Sequence, residues 1–121
     1  MRAITEFQGI FIHRDPVDMR KAINGLSEIV EAEGMGELMG ANLFVFAGKR
    51  RNTIKILYFD RSGFALWQKR LEQERFPWPK LKTHEDSVVR LTSEHLRWLL
   101  DGYDIWKMKK PFEELRFSRF S

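Results

Sequence analysis

Three runs of apolar residues fill the middle of the chain: 43–46 (LFVF), 53–59 (TIKILYF) and 64–71 (FALWQKRL). Each is rich in Val, Ile, Phe, Tyr or Trp. Gly, Asn, Asp and Ser punctuate the gaps, which is the signature of β-strands. The gaps, 47–52 (AGKRRN) and 60–63 (DRSG), are short. A parallel return needs a dozen or more residues, so these strands are expected to be antiparallel neighbours in a meander. Asp60 opening and Gly63 closing the second gap predict a type I turn.

Upstream, 7–13 (FQGIFIH) reads as a short strand. A helix start follows, with Asp15 at the N-cap, Pro16 in the first helical position and Asp18 reaching back. Met19, Ala22, Ile23, Leu26, Ile29 and Val30 step by three and four, while Glu28, Glu31 and Glu33 take the outer face. This predicts an amphipathic helix over 16–33. Gly25 costs about 1 kcal/mol there against Ala and suits a close approach to the sheet. Gly34 stops the helix in the C′ position. The glycines of 34–42 (GMGELMGAN) lack phosphate-loop spacing and precede a strand, so the stretch reads as a flexible connection.

Downstream, Phe76-Pro77-Trp78-Pro79 breaks the third strand, because proline cannot donate to a ladder. Trp78 is either a core plug or an exposed stacking surface, and burial is the commoner fate of Trp. Residues 88–91 form a short strand. Thr92 then caps a second helix, with Leu91 and Leu96 placed for a hydrophobic staple and Leu96, Leu99 and Leu100 on its buried face. Gly102 ends it. The pattern predicts an α+β fold: a three-stranded antiparallel meander plus one or two short strands, packed against the N-terminal helix, with a second short helix near the C-terminus. Residues 1–106 form the single domain and 107–121 an aromatic, basic tail.

Composition narrows the class. At 121 residues the chain is one ordinary domain, and 43% hydrophobic content suffices for a core. The absence of cysteine excludes disulfides and thiolate metal sites and fits a cytoplasmic protein. The first residues lack a signal-peptide apolar region, and no apolar run approaches the ~20 residues of a membrane span. Charge is uneven. Residues 1–42 carry 4 Lys and Arg against 7 Asp and Glu, 43–82 carry 10 against 3, and 83–121 carry 7 against 7. The excess positive charge sits on the meander and its exit, which suggests a polyanionic partner, most often nucleic acid.

The candidate contacts are Lys49, Arg50 and Arg51 at the first hairpin tip. Lys55 extends the patch down the hairpin, and Lys69, Arg70 and Arg75 are further candidates. Lys69 and Arg70 are strand neighbours on opposite faces, so at most one joins the tip. The plain alternative is a solvated loop whose charge protects a sheet edge. No catalytic constellation is legible. His13, His84 and His95 are far apart and in no ligand spacing. His95, beside Glu94 on a helix, reads as solvated. Asp15, Asp18 and Asp60 are the carboxylates that would have to meet to hold Mg²⁺. Each already has a structural role as cap or turn former. No cofactor, metal or small-molecule substrate is expected.

DMRKAINGL (18–26), LFVFAGKRRNTIKIL (43–57), FDRSGFALWQKRLE (59–72), FPWP (76–79) and LTSEHLRWLLDGYDIW (91–106) together resemble TnpB, the Orf2-like accessory protein of the insertion sequence 66 family. The resemblance runs from about Asp15 to Trp106. An RNA-guided nuclease that shares the name TnpB is unrelated. The resemblance implies a bacterial mobile element whose transposase is a separate, larger protein, supported by this small one, with no catalytic residue to carry over. Arg51-Asn52 stand where the family has a Gly-Asp type of turn, and Pro77 stands where a basic or polar residue precedes the Trp. The expected function is a non-catalytic transposition accessory that binds element-end DNA through the basic hairpin. The rivals are an adapter that binds the transposase without touching DNA and, more remotely, a metal nuclease.

Overall fold

The central runs form strands β2 (Asn42–Ala47), β3 (Thr53–Asp60) and β4 (Gly63–Arg70), paired antiparallel in sequence order. The computed structural model describes residues 3–78, 87–107 and the backbone of Glu113–Glu114. The full sheet adds β1 (Gly9–His13), β5 (Val88–Arg90) and β6 (Glu113–Glu114), in the order β4-β3-β2-β1-β5-β6. The helices are α1 (Ile23–Ala32) and α2 (Ser93–Leu100). The fold is α+β, as the pattern predicts. Apart from Lys107 and the backbone that pairs with Val89 and Arg90, the expected tail lies outside the described residues.

The meander is antiparallel, but β1 runs parallel to β2, with Gly9 opposite Asn42 and Ile12 opposite Val45. Residues 14–41 are the crossover that this pairing demands. They carry α1 across one face of the sheet.

The helix is shorter than its periodicity suggests. It begins at Ile23, and 14–22 form an irregular strap. Competing hydrogen bonds explain the late start. The Val17 N–H donates to the Ala47 carbonyl (2.9 Å), and Asp18 accepts the Arg20 N–H (2.9 Å). The Met19 and Lys21 carbonyls accept from the Lys55 ammonium at 2.6 and 2.8 Å. Asp15 therefore caps no helix. The C-terminus matches expectation. Gly34 takes φ 58°, the Met35 N–H donates to Val30 (3.0 Å) and the Gly34 N–H to Glu31 (3.3 Å), which together form a Schellman motif. Gly25 does not approach the sheet; a Cβ there would meet the Lys21 side chain.

Nor is 34–42 a loose connection. Met35 is buried, Asn42 Nδ2 donates to the Glu37 carbonyl (3.0 Å), and the Gln8 N–H donates to Ala41 (2.7 Å). The second hairpin turn also differs. Arg61 takes φ 57° and the Ser62 N–H donates to the Asp60 carbonyl (2.6 Å). Asp60 pairs with Gly63 across a two-residue loop in which Arg61, and not Ser62, takes a positive φ. This is the sign pattern of a type II′ hairpin turn, which suits the sheet's right-handed twist, whereas type I splays the strands.

Both faces of the sheet are covered. Leu26, Val30 and Met35 pack with Phe44, Phe46 and Leu57 on one side. Phe76, Trp78, Leu96, Leu99, Leu100 and Ile105 pack with Ile12, Val45, Ile54 and Ile56 on the other. Trp78 is the core plug: it is 6% exposed and its indole N–H donates to the Arg14 carbonyl (3.0 Å). Thr92 caps α2 by accepting the His95 N–H (3.1 Å), with Leu91 and Leu96 both buried as the staple requires. Among the described residues no helix is long and apolar enough to cross a membrane.

Since Leu26 is buried and Glu31 exposed, urea denaturation of two variants checks the seating of α1. Leu26→Ala is expected to lose about 2–5 kcal/mol. Glu31→Ala is expected to change stability by no more than about 0.5 kcal/mol. Equal effects would contradict the orientation.

Candidate nucleic-acid interface

The loop from Gly48 to Asn52 joins β2 to β3. Lys49 and Arg50 are exposed at its tip. Among the described residues neither takes a carboxylate partner. Arg51 differs from its neighbours. It takes φ 61°, is half-buried, and its carbonyl accepts the Phe76 N–H at 2.7 Å. The Asn52 carbonyl accepts the Leu71 N–H at 2.7 Å. The chain leaving β4 is thus laced to the back of the tip. A left-handed conformation strains a residue with a Cβ, so Arg51 does the backbone work that a glycine usually does.

The other candidate cations separate. Lys55 is 7% exposed and lies on the α1 face, its ammonium occupied by the Met19 and Lys21 carbonyls. Burial of that charge is tolerable because both acceptors reach it. Lys69 lies on the α2 face, where its ammonium donates to the Leu100 carbonyl (2.8 Å) at the helix C-terminus. Arg70 points the other way, toward the tip. It is exposed and paired with Glu72 through Nε (2.8 Å) and Nη2 (3.3 Å). The Glu72 hydrogen bonds hold the Arg70 guanidinium above its ordinary value. Arg75 is exposed, one residue before the amide that bonds to Arg51. The structure therefore brings Lys49, Arg50 and Arg70 together and sends Lys55 and Lys69 into structural roles.

These three cations edge a cleft of about 470 Å³ between the tip and the strap. Val17 and Met19 line it from the strap, Asn52 and Thr53 from the hairpin. Gly48 is required at its base, because a Cβ there would lie 2.5 Å from Met19. Asp18 also borders the cleft, clamped by Arg20 at 2.6–3.1 Å. The Arg20 hydrogen bonds hold the Asp18 carboxyl far below its usual range. Arg20 is 91% exposed and is the cation that sequence reasoning missed. It is hidden in the acidic N-terminal third, and only the strap's path sets it, through Asp18, at the border of the cleft.

The remaining polar groups form a separate cluster. His13 is buried, with Nδ1 against the Asp15 carbonyl (2.8 Å) and Nε2 against Glu33. Glu33 also accepts from the Ser87 hydroxyl (2.7 Å). The carboxylate sits between serine and histidine, whereas a nucleophile triad needs the histidine in the middle. The cluster ties the end of α1 to β1 and to the segment entering β5. His95 is half-buried at the surface: it contacts the Thr92 hydroxyl (2.8 Å) and meets Trp98 edge-on. His84 lies outside the described residues. Asp60 closes β3 at the end of the sheet away from the tip, a full strand length from Asp18. Among the described residues no three His, Asp or Glu gather as a metal site would require.

The arrangement is a basic hairpin on a sheet crossed by α1 and backed by α2. The model of the IS66 Orf2 like protein family matches residues 8–110. This chain belongs to that family. The family is one of transposition-associated accessory proteins of insertion sequences. Two relatives come from Sinorhizobium fredii (strain NBRC 101917 / NGR234). Uncharacterized protein y4jC is 31% identical over 101 residues, 84% of each chain. Uncharacterized protein y4hO is 31% identical over 98 residues, 81% of this chain and 82% of its own. No solved structure matches. The matched stretch includes the hairpin, the strap and the cleft.

Two measurements check these roles. Lys55→Met keeps the aliphatic stem and removes both bonds to the strap. It is expected to cost about 1.5–3 kcal/mol in urea denaturation, the usual worth of a hydrogen bond to a charged group. For Glu33, burial raises the pKa, but the hydrogen bonds from Ser87 and His13 outweigh it, and the carboxyl is held below its ordinary value. A depressed carboxylate contributes stability above its unfolded value, near about 4.3, and loses it as the pH falls through the folded value. Wild-type stability is therefore expected to drop on acidification through that range. Glu33→Gln is expected to show a smaller drop.

Proposed function

We propose that this chain is a non-catalytic accessory protein for transposition of a bacterial insertion sequence, and that it binds DNA at the element ends through the basic hairpin, alongside the transposase of the same element. One observation carries the DNA reading. Lys49 and Arg50 project from the β2–β3 turn at one end of the sheet, with no carboxylate to neutralise them among the described residues. Phosphates would relieve their mutual repulsion. Phosphate contact comes first, since backbone contacts make up half or more of such interfaces. Arg70 lines the cleft with them, and Arg75, beside the amide bonded to Arg51, and Arg20, bonded to Asp18 at the cleft border, would extend the footprint. Lys55 and Lys69 are excluded by their internal bonds.

A second reading, the protein adapter, is favoured by β4. Its outer edge has no strand partner among the described residues, and its eight residues pair with β3 without a bulge. An unpaired edge of that length is a template for strand addition by another chain. The transposase is the partner that this reading implies.

Gel shifts with element-end and random DNA, with and without the transposase, separate the two. Lys49→Ala with Arg50→Ala is expected to weaken binding to every DNA sequence. It is also expected to flatten the dependence of log K on log salt by about two units, near 0.9 per lost contact. Arg51 is left in place because its carbonyl and left-handed backbone belong to the fold. A double variant that binds DNA normally yet no longer retains the transposase would decide for the adapter.

A further inference from the structure

We propose that the cleft between hairpin tip and strap holds a single unpaired nucleotide of a DNA strand. The proposal rests on the DNA-binding reading and deepens it. At about 470 Å³ the cleft falls within the usual size of ligand pockets, roughly 300–1,000 Å³. Its lining divides by chemistry. Lys49, Arg50 and Arg70 supply cations along the hairpin side, where a phosphate would sit. Val17 and Met19 offer apolar surface from the strap, where a base would lie flat. Asn52 adds an amide, a donor and acceptor pair suited to a base edge. Asp18, the carboxylate in the lining, is clamped by Arg20 and so repels a phosphate less than a bare carboxylate would, while Glu72 shares the Arg70 guanidinium and leaves Lys49 and Arg50 as the unshared cations.

Outward cations alone would serve a duplex. A cleft with an apolar wall set behind them serves no purpose for a stacked, paired base, which cannot leave the helix to reach it. A base that is already unpaired enters without the cost of unstacking and unpairing. Such bases arise wherever strands are opened or cut, which is the condition of element ends during transposition.

The test compares three DNA probes by fluorescence anisotropy: a blunt duplex, the same duplex with one bulged nucleotide, and the single strand. Wild type is expected to prefer the bulged duplex to the blunt one by about tenfold, the effect of one good base contact. Asn52→Ala is expected to lower affinity for the bulged probe about tenfold more than affinity for the blunt duplex, which erases the preference. Asn52→Asp keeps the acceptor for the Thr53 hydroxyl (3.5 Å) and adds a negative charge. It is expected to disfavour the bulged probe specifically, which guards against a folding artefact in the alanine variant. Equal wild-type affinity for bulged and blunt probes would overturn the cleft proposal and leave the hairpin reading standing. Equal loss of both probes in Asn52→Ala, with the fold intact by thermal melting, would also overturn it. Failure of all three probes to bind would remove the DNA reading itself.

Discussion

β1 and β2 lie side by side and run the same way, and that pairing dictates where the rest of the molecule goes. Parallel neighbours cannot be joined by a tight turn, so the chain must leave the sheet, cross a face and return. The crossing brings α1 over Phe44, Phe46 and Leu57 and gives that face its cover. It also creates the strap, which reaches α1 only after passing the far end of β2. Beyond Val17 and Met19 the strap has little apolar surface of its own to bury. Hydrogen bonds pin it instead: Val17 to Ala47, and the Lys55 ammonium to Met19 and Lys21. The cleft beside the hairpin exists because these bonds hold the strap against the tip.

Cations in this chain divide by what they touch. Lys55 and Lys69 look as available in sequence as Lys49, yet each spends its charge on backbone carbonyls that regular structure leaves unsatisfied. Lys55 serves an irregular strap, and Lys69 serves the end of α2. Arg70 stays at the surface but shares its charge with Glu72. Of these cations, Lys49 and Arg50 are the ones left exposed with neither a carboxylate nor a carbonyl partner among the described residues. The exit segment stiffens their mount, with Phe76 and Leu71 bonded to the carbonyls behind them. A rigid mount suits recognition, because fewer torsions must be frozen on binding.

Family membership and this geometry bear on different questions. Membership places the chain among transposition accessory proteins and says nothing of which surface acts. The structure offers two surfaces with different chemistry: the cationic tip with its cleft, and the unpaired edge of β4. Arg70 ends β4 and also lines the cleft, so a partner on that edge and a nucleic acid at the tip would be close neighbours.

The strands of the meander, the staple before α2, the stop at Gly34 and the buried positions Leu26 and Val30 follow from sequence alone. Each depends on residues close in the chain, through alternation, capping chemistry or helical period. The cationic tip is legible for the same reason, since a short gap between strands must be an exposed turn. What the sequence left undecided depends on partners far apart along the chain. The periodicity from Met19 and Ala22 onward suggests helix, but Ala47 and Lys55 take the strap's hydrogen-bonding groups first. Lys55 reads as a surface cation until the strap lies over it. Arg20 reads as part of an acidic segment until the strap sets its partner Asp18 at the border of the cleft. The parallel pairing of β1 with β2 joins residues separated by the whole crossover, and no local pattern encodes it. Local sequence determined the elements and their exposed turns; only tertiary structure decided which charges stayed free, because that depends on which distant carbonyls and carboxylates come within reach.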